Sequence, residues 1–153
     1  MRIAPADLDD PAVQDLIAFH QSAMVAGSPP GLSFAVDVSG LRDEFVTVWT
    51  VHMGERVAAV GAFKRLDAER GEVKSMRTHP DFLRQGIADA LLETIIAHAR
   101  AEGLAVLSLE TGTGPAFEPA HALYRRRGFV NGPAFANYVL TEFNQCLHLE
   151  LGR

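Results

Sequence analysis

At 153 residues the chain carries about one domain's worth of sequence, which sets aside a multidomain architecture. With 48% hydrophobic and 22% charged residues, and a mean hydropathy of +0.06, it has enough apolar material for a core, so global disorder is excluded. Its 14 Lys and Arg against 19 Asp and Glu leave a net charge of -5, which argues against broad binding to nucleic acid or anionic membrane.

Cys146 is the single cysteine and has no partner for an internal disulfide or a zinc ribbon. Asp7, Asp9, Asp10 and Asp15 stand where a signal peptide needs a basic start and an apolar stretch. Every hydrophobic run is interrupted well before the ~20 residues a membrane helix needs. A soluble, cytoplasmic protein is the expectation.

In chain order, Asp10 as an N-cap, Pro11 in the first turn, and Val13, Leu16, Ile17 and Met24 at helical spacing predict a helix over 11–25. Residues 26–40, with Gly27, Pro29, Pro30 and Gly31, read as a long connection able to shape a substrate pocket. From Phe45 a period-two pattern predicts a strand. Met53, Gly54 and Glu55 supply a turn, and residues 57–63 form its antiparallel partner. A third strand runs over 72–78 and is stopped by Pro80.

Residues 86–102 give the strongest helix, with Ile87, Leu91 and Ile95 recurring beside Ala88, Leu92 and Ile96, and Gly103 ending it. Residues 104–109 read as a strand, and Gly112 to Pro115 break it and open a helix reaching Arg127. Residues 129–130 and 146–151 close the sheet. The order predicts an α/β fold with a mixed sheet and packed helices, in one domain covering 1–153.

The chemistry concentrates where the third strand passes into the strongest helix. Unpartnered N–H groups and the positive end of the macrodipole make a helix start an anion site, Gly86 and Ala88 leave it open, and Arg84 adds a charged donor. Leu83-Arg84-Gln85-Gly86-Ile87-Ala88 resembles motif A of the GNAT superfamily of acyl-CoA N-acyltransferases, [Q/R]-x-x-G-x-[G/A], with Leu83 departing from its first position. Ala120 to Phe129 is similar to the A-x-x-L-Y-x-x-x-G-F block of the same superfamily, with Phe117 where an Asn is common. The resemblance covers about residues 70–130.

That resemblance implies a mostly antiparallel sheet with one splayed parallel strand pair and helices on both faces. It implies acetyl-CoA as acyl donor: the backbones of Met76, Arg77 and Thr78 would pair with the pantetheine arm, and Arg84, Gln85, Gly86, Ile87, Ala88 and Asp89 would hold the pyrophosphate. Tyr124 would protonate the leaving thiolate. Attack by an amine of lysine-like pKa, about 10.4, needs a base. Glu110, in a Leu-Glu pair ending the later strand, is the preferred candidate and Glu72 the second, each open instead to being a solvated strand-end carboxylate or an ion pair with Lys74 or Arg77. Arg125 to Arg127 read as a solvated, dipole-compensating run or as phosphate ligands.

The six histidines lack metal-ligand spacing, so no metal is expected. Ser75 and Ser108 lack a nucleophile elbow, and Cys146 lies outside both blocks, so transfer is direct, without an acyl-enzyme. The expected acceptor is a primary amine, a small molecule before a protein terminus, with an amino acid, a polyamine and an antibiotic all open; residues 20–37 and 132–141 would select it, and a homodimer is compatible with the resemblance. The alternative is a non-catalytic acyl-CoA-binding sensor or scaffold.

Overall fold

The structure, a computed structural model, describes residues 1–27 and 37–152. Seven strands form one sheet in the order β1-β2-β3-β4-β5-β7-β6: β1 (Arg2–Pro5), β2 (Val46–Met53), β3 (Arg56–Arg65), β4 (Arg70–Thr78), β5 (Val106–Gly112), β6 (Val130–Gly132) and β7 (Asn144–Glu150). Among the described residues four α-helices flank it: α1 (Pro11–Ala26), α2 (Val38–Leu41), α3 (Ile87–Ala101) and α4 (Glu118–Arg126). All pairings are antiparallel except β4 with β5. No helix among the described residues is long and apolar enough to cross a membrane.

The first helix starts as its sequence dictates, with the Asp10 carboxylate accepting from the Ala12 N–H at 2.9 Å and Pro11 opening the first turn. It buries Val13, Leu16 and Ile17 on one face of the sheet against Val48, Val57, Val60 and Ala62. On the other face α3 packs Leu91, Leu92, Ile95 and Ile96 against Val73, Leu107, Leu109 and Leu147, and α4 adds Leu123 and Tyr124 to the same cluster. Both faces of the central strands are therefore covered. Gly71, in β4, marks the tightest point: a Cβ there would stand 2.2 Å from the buried Phe63 ring. Gly71→Ala forces that ring to move in a packed core and costs about 2 kcal/mol. Thermal denaturation of the variant should midpoint roughly 5 °C below wild type.

Several boundaries differ from the sequence reading. Strand β1 was absent from it, because four residues carrying a Pro show little period-two signal; β1 is a half-exposed edge strand paired only to β2. Phe45 lies before β2 and is exposed, since its residue precedes the ladder. The strand expected at 104–109 runs Val106–Gly112, because Leu104 is drawn back to the end of α3 by its N–H bond to Ala99 O. Pro115–Phe117 form a 3-10 turn before α4, and the closing strands extend to Gly132 and begin at Asn144. Of the connection expected over 26–40, residues 28–36 lie outside the described residues, while Val38–Leu41 form a short helix capped by Asp37.

Candidate active site

Parallel pairing of β4 with β5 covers three residue pairs, Arg70 with Val106, Gly71 with Leu107 and Glu72 with Ser108, and stops there. Beyond Glu72 the two strands part. On its other side β4 bulges against β3: Ala62 faces Lys74 and Val60 faces Arg77, so Ser75 and Met76 stand against Gly61 alone, with Ser75 at φ 55. A Cβ on Gly61 would lie 2.6 Å from Met76 Sδ, so this glycine leaves the space that the bulged side chain fills. The bulge and the splay open a cleft of about 590 Å³ running from His20 and Glu110 to the start of α3.

At one end of the cleft, residues 83–88 carry a backbone built for an anion. Arg84 has φ 61 and Gly86 has φ 76, and alternation of this kind turns successive N–H groups toward one side. Gly86 caps α3 with no side-chain hydrogen bond, and among the described residues no protein group accepts from the N–H groups of Gln85 to Asp89. A Cβ on Gly86 would meet nothing within 4 Å, so the space beside it is open. The Asp89 carboxylate faces elsewhere: Arg127 Nε and Nη2 both donate to it at 2.8 Å, and Arg127 also pairs with Glu93. This pairing pushes the Asp89 carboxyl below its ordinary range. Asp89 therefore offers the cleft its backbone only.

Of the arginine run, Arg127 is consumed by Asp89 and Glu93, and Arg125 donates to Asn131 at 2.8 Å. Arg126 lines the cleft, exposed, with no ion pair among the described residues. Neither reading of the run as one unit holds, because the three side chains leave the last turn of α4 in different directions.

At the other end are the titratable groups. Glu72 is buried at 3% exposure; Lys74 Nζ donates to it at 3.2 Å and Tyr138 Oη donates to the same oxygen. The ion pair with Lys74 is thus formed, and the one with Arg77 is not. Burial and the adjacent Glu72 push the Tyr138 phenol far above its ordinary value, so it remains a donor. Among the described residues Glu110 accepts one bond, from Asn144 Nδ2 at 3.1 Å, and burial raises its pKa above the usual carboxylate range, with Asn144 opposing. Tyr124 is buried at 7% exposure and lines the cleft; burial pushes its phenol up to about 12, with Arg77 opposing. No protein group among the described residues hydrogen-bonds its Oη.

The family model for the acetyltransferase (GNAT) family matches residues 14–129. The chain belongs to that family. Among curated proteins, this GNAT chain is 47% identical over 145 residues to YedL of Escherichia coli, an N-acetyltransferase described as uncharacterized, covering 95% of this chain and 91% of YedL. It is 41% identical over 138 residues to YsnE of Bacillus subtilis, described in the same terms, covering 90% and 91%. A GNAT family acetyltransferase from Elizabethkingia anophelis, solved with acetyl-CoA bound, shares the fold at 19% identity and a TM-score of 0.67, with 97% of each chain covered. As a member of this family the protein is an acyl-CoA-dependent acetyltransferase.

Within the GNAT fold, the structure brings Glu72, Glu110, Tyr124, the Met76–Thr78 edge, Arg84 and Gly86 to Asp89 to one cleft, while Gln85 does not line it. The two departures from the family pattern have structural counterparts. Leu83 is exposed at 55% and supplies no polar group. Phe117, in place of the common Asn, is buried with its ring over Gly112, where a Cβ would lie at 2.4 Å. Of the other lining residues, the sequence singles out Lys74 only as an ion-pair partner and reaches His20 and Tyr138 only through the segments 20–37 and 132–141, while Asn144 carries no signal of its own. Lys74 was legible, two residues from Glu72 on one strand face. Tyr138 lies in the segment expected to select the acceptor, but its bond to Glu72 joins residues 66 apart.

Proposed function

We propose that the protein transfers an acetyl group from acetyl-CoA to the primary amine of a small-molecule acceptor by direct attack in a ternary complex, with Glu110 as base and Tyr124 at the leaving sulfur. The observation that carries this is the early end of the β4–β5 ladder, which frees the β4 edge beside a helix start whose N–H groups have no protein acceptor. The edge from Met76 to Thr78 would take the pantetheine amides as an added strand. The amides of Gln85 to Ala88 would take the diphosphate, helped by Arg84 and Arg126. The use of acetyl-CoA draws support from the bound molecule in the Elizabethkingia relative.

Two carboxylates compete for the proton of the amine. Glu72 already accepts from an ammonium and a phenol, which stabilise its charge and occupy its lone pairs. Glu110 has one amide donor and a raised pKa, so its free oxygen is the stronger acceptor. In the reaction the amine nitrogen bonds to the acyl carbon and its proton passes to Glu110. The oxyanion is held by a backbone N–H near Met76, and the carbon–sulfur bond then breaks. With a pKa of about 12, Tyr124 stays protonated at neutral pH. An ordinary thiol titrates near 8.5, roughly, so the phenol donates a hydrogen bond to the departing sulfur in preference to giving up its proton outright.

Tyr124→Phe should therefore lower kcat by about 10- to 100-fold and leave the Kd for coenzyme A nearly unchanged. An unchanged kcat at saturation removes the phenol from the reaction. The reading as a whole is tested by following free thiol with acetyl-CoA and a panel of primary amines. Thiol release that needs both substrates is expected. Tight binding of acetyl-CoA with no release across the panel would support the sensor reading instead.

A further inference from the structure

Arg77 is a charged group for which the proposed reaction has no use. Its backbone lies on the β4 edge, but its side chain crosses to the α1 side, where Nε donates to His20 Nδ1 at 3.0 Å and Cζ sits 5.6 Å from the Phe19 ring. Met76, its neighbour, goes the opposite way, against Leu91 of α3 beside Gly61. The two faces of β4 therefore present different chemistry to the cleft, apolar toward α3 and cationic toward α1.

The guanidinium is half-buried, and its imidazole partner does not neutralise it. Burial, reinforced by Arg77 itself, lowers the His20 pKa to about 4, so the ring is neutral and serves as an acceptor. Several arginines of this chain meet carboxylates, as Arg42 meets Asp9, Arg56 meets Asp81 and Arg127 meets Asp89, whereas the half-buried Arg77 meets an imidazole. No carboxylate among the described residues pairs with Arg77. Residues 28–36, outside the described set, include no Asp or Glu in their sequence, so they supply no counter-ion either. A half-buried guanidinium without an anion is costly to keep. Its Nε is committed to His20, which fixes the plane and leaves the two terminal nitrogens, with no protein acceptor among the described residues, in a cleft that Arg77 and His20 both line. That planar pair of donors matches the two oxygens of a carboxylate.

We infer that Arg77, held by His20, is the anion subsite of the acceptor pocket, and that the acceptor is an amino-carboxylate: a small molecule bearing a primary amine for Glu110 and a carboxylate for Arg77. The inference rests on the transferase reading above. Lys74 does not compete for the carboxylate, because its ammonium is engaged by Glu72 and Tyr138. The negative groups near the amine and the positive group farther along the sheet together select against simple diamines, for which Arg77 would be repulsive.

The test compares kcat/KM for free amino acids with that for their carboxamides, with O-phosphoethanolamine as a third arm, in wild type and in Arg77→Met and Arg77→Lys. Wild type should favour the free acids by about 30-fold or more, the size of one charge-assisted bidentate contact. Arg77→Met should collapse that ratio toward unity, and Arg77→Lys should restore part of it. Equal kcat/KM for acids and carboxamides in wild type overturns the subsite and needs no variant to fold. An equal fall for both classes in Arg77→Met, accompanied by weaker coenzyme A binding, also overturns it, by moving Arg77 to the donor. Preference for O-phosphoethanolamine over every amino acid overturns the carboxylate assignment. Wild type that binds acetyl-CoA but releases no thiol with any of the three classes contradicts the transferase reading itself.

Discussion

Glu110→Gln should lower kcat/KM by about 10²- to 10⁴-fold, the range over which a positioned general base contributes. The substitution is nearly isosteric and keeps an oxygen for Asn144 Nδ2, so the cleft retains its shape. In wild type, kcat/KM should rise with pH through an ionisation above the ordinary Glu range, since the base must be deprotonated and burial raises its pKa. That limb should vanish in the variant. The sign for stability is the reverse. A carboxyl whose folded pKa is raised stabilises the fold fully below its unfolded pKa, and that contribution is lost as pH rises through the folded pKa. At neutral pH Glu110 is therefore a burden on stability, and Glu110→Gln should melt no lower than wild type. A slow variant that is no less stable separates a catalytic role from a structural one. Unchanged kcat/KM in Glu110→Gln returns the role of base to Glu72.

Gly86→Val should weaken coenzyme A binding by about 10- to 100-fold. Gly86 sits at φ 76, a region that costs a β-branched residue about 1–3 kcal/mol and from which the backbone escapes by rotating its N–H away. The cradle at the start of α3 depends on that orientation, together with φ 61 at Arg84. Gly54→Val is the control, because Gly54, in the β2–β3 turn, has φ 61 and equally open space around its Cβ. Both variants should lose stability, while only Gly86→Val should lose affinity by calorimetric titration. Equal affinity in the two variants would place the diphosphate elsewhere.

Much of the fold was legible because its signals are local. Helix α3 carries a wide apolar stripe and ends before Gly103, and the two family-like blocks follow the two splaying strands, one after each. That β4 and β5 splay was implied by the resemblance, but the residue at which their ladder ends was not legible, since the bulge at Ser75 and the packing of Met76 beside Gly61 depend on how β3 and β4 pair. Strand β1 was missed because a four-residue edge strand draws its pairing from β2 and little from its own pattern. Of the candidate site, the helix start was read from Gly86 and Ala88. Glu110 was preferred over Glu72 on the Leu-Glu resemblance alone; the physical difference between them was not readable, because it depends on Tyr138 and Asn144, which reach them from a distant loop and strand. The separate fates of Arg125 to Arg127 likewise follow from partners in α3 and β6.

The central claim is that the freed β4 edge and the start of α3 together seat the acyl donor against Glu110. A crystal structure grown with saturating coenzyme A tests it most directly. The account expects diphosphate oxygens within hydrogen-bond distance of the N–H groups of Gln85 to Ala88, the pantetheine arm beside Met76 to Thr78, and the sulfur near Tyr124 Oη. Coenzyme A bound on another surface, with the β4–β5 cleft closed or filled by protein, would contradict it.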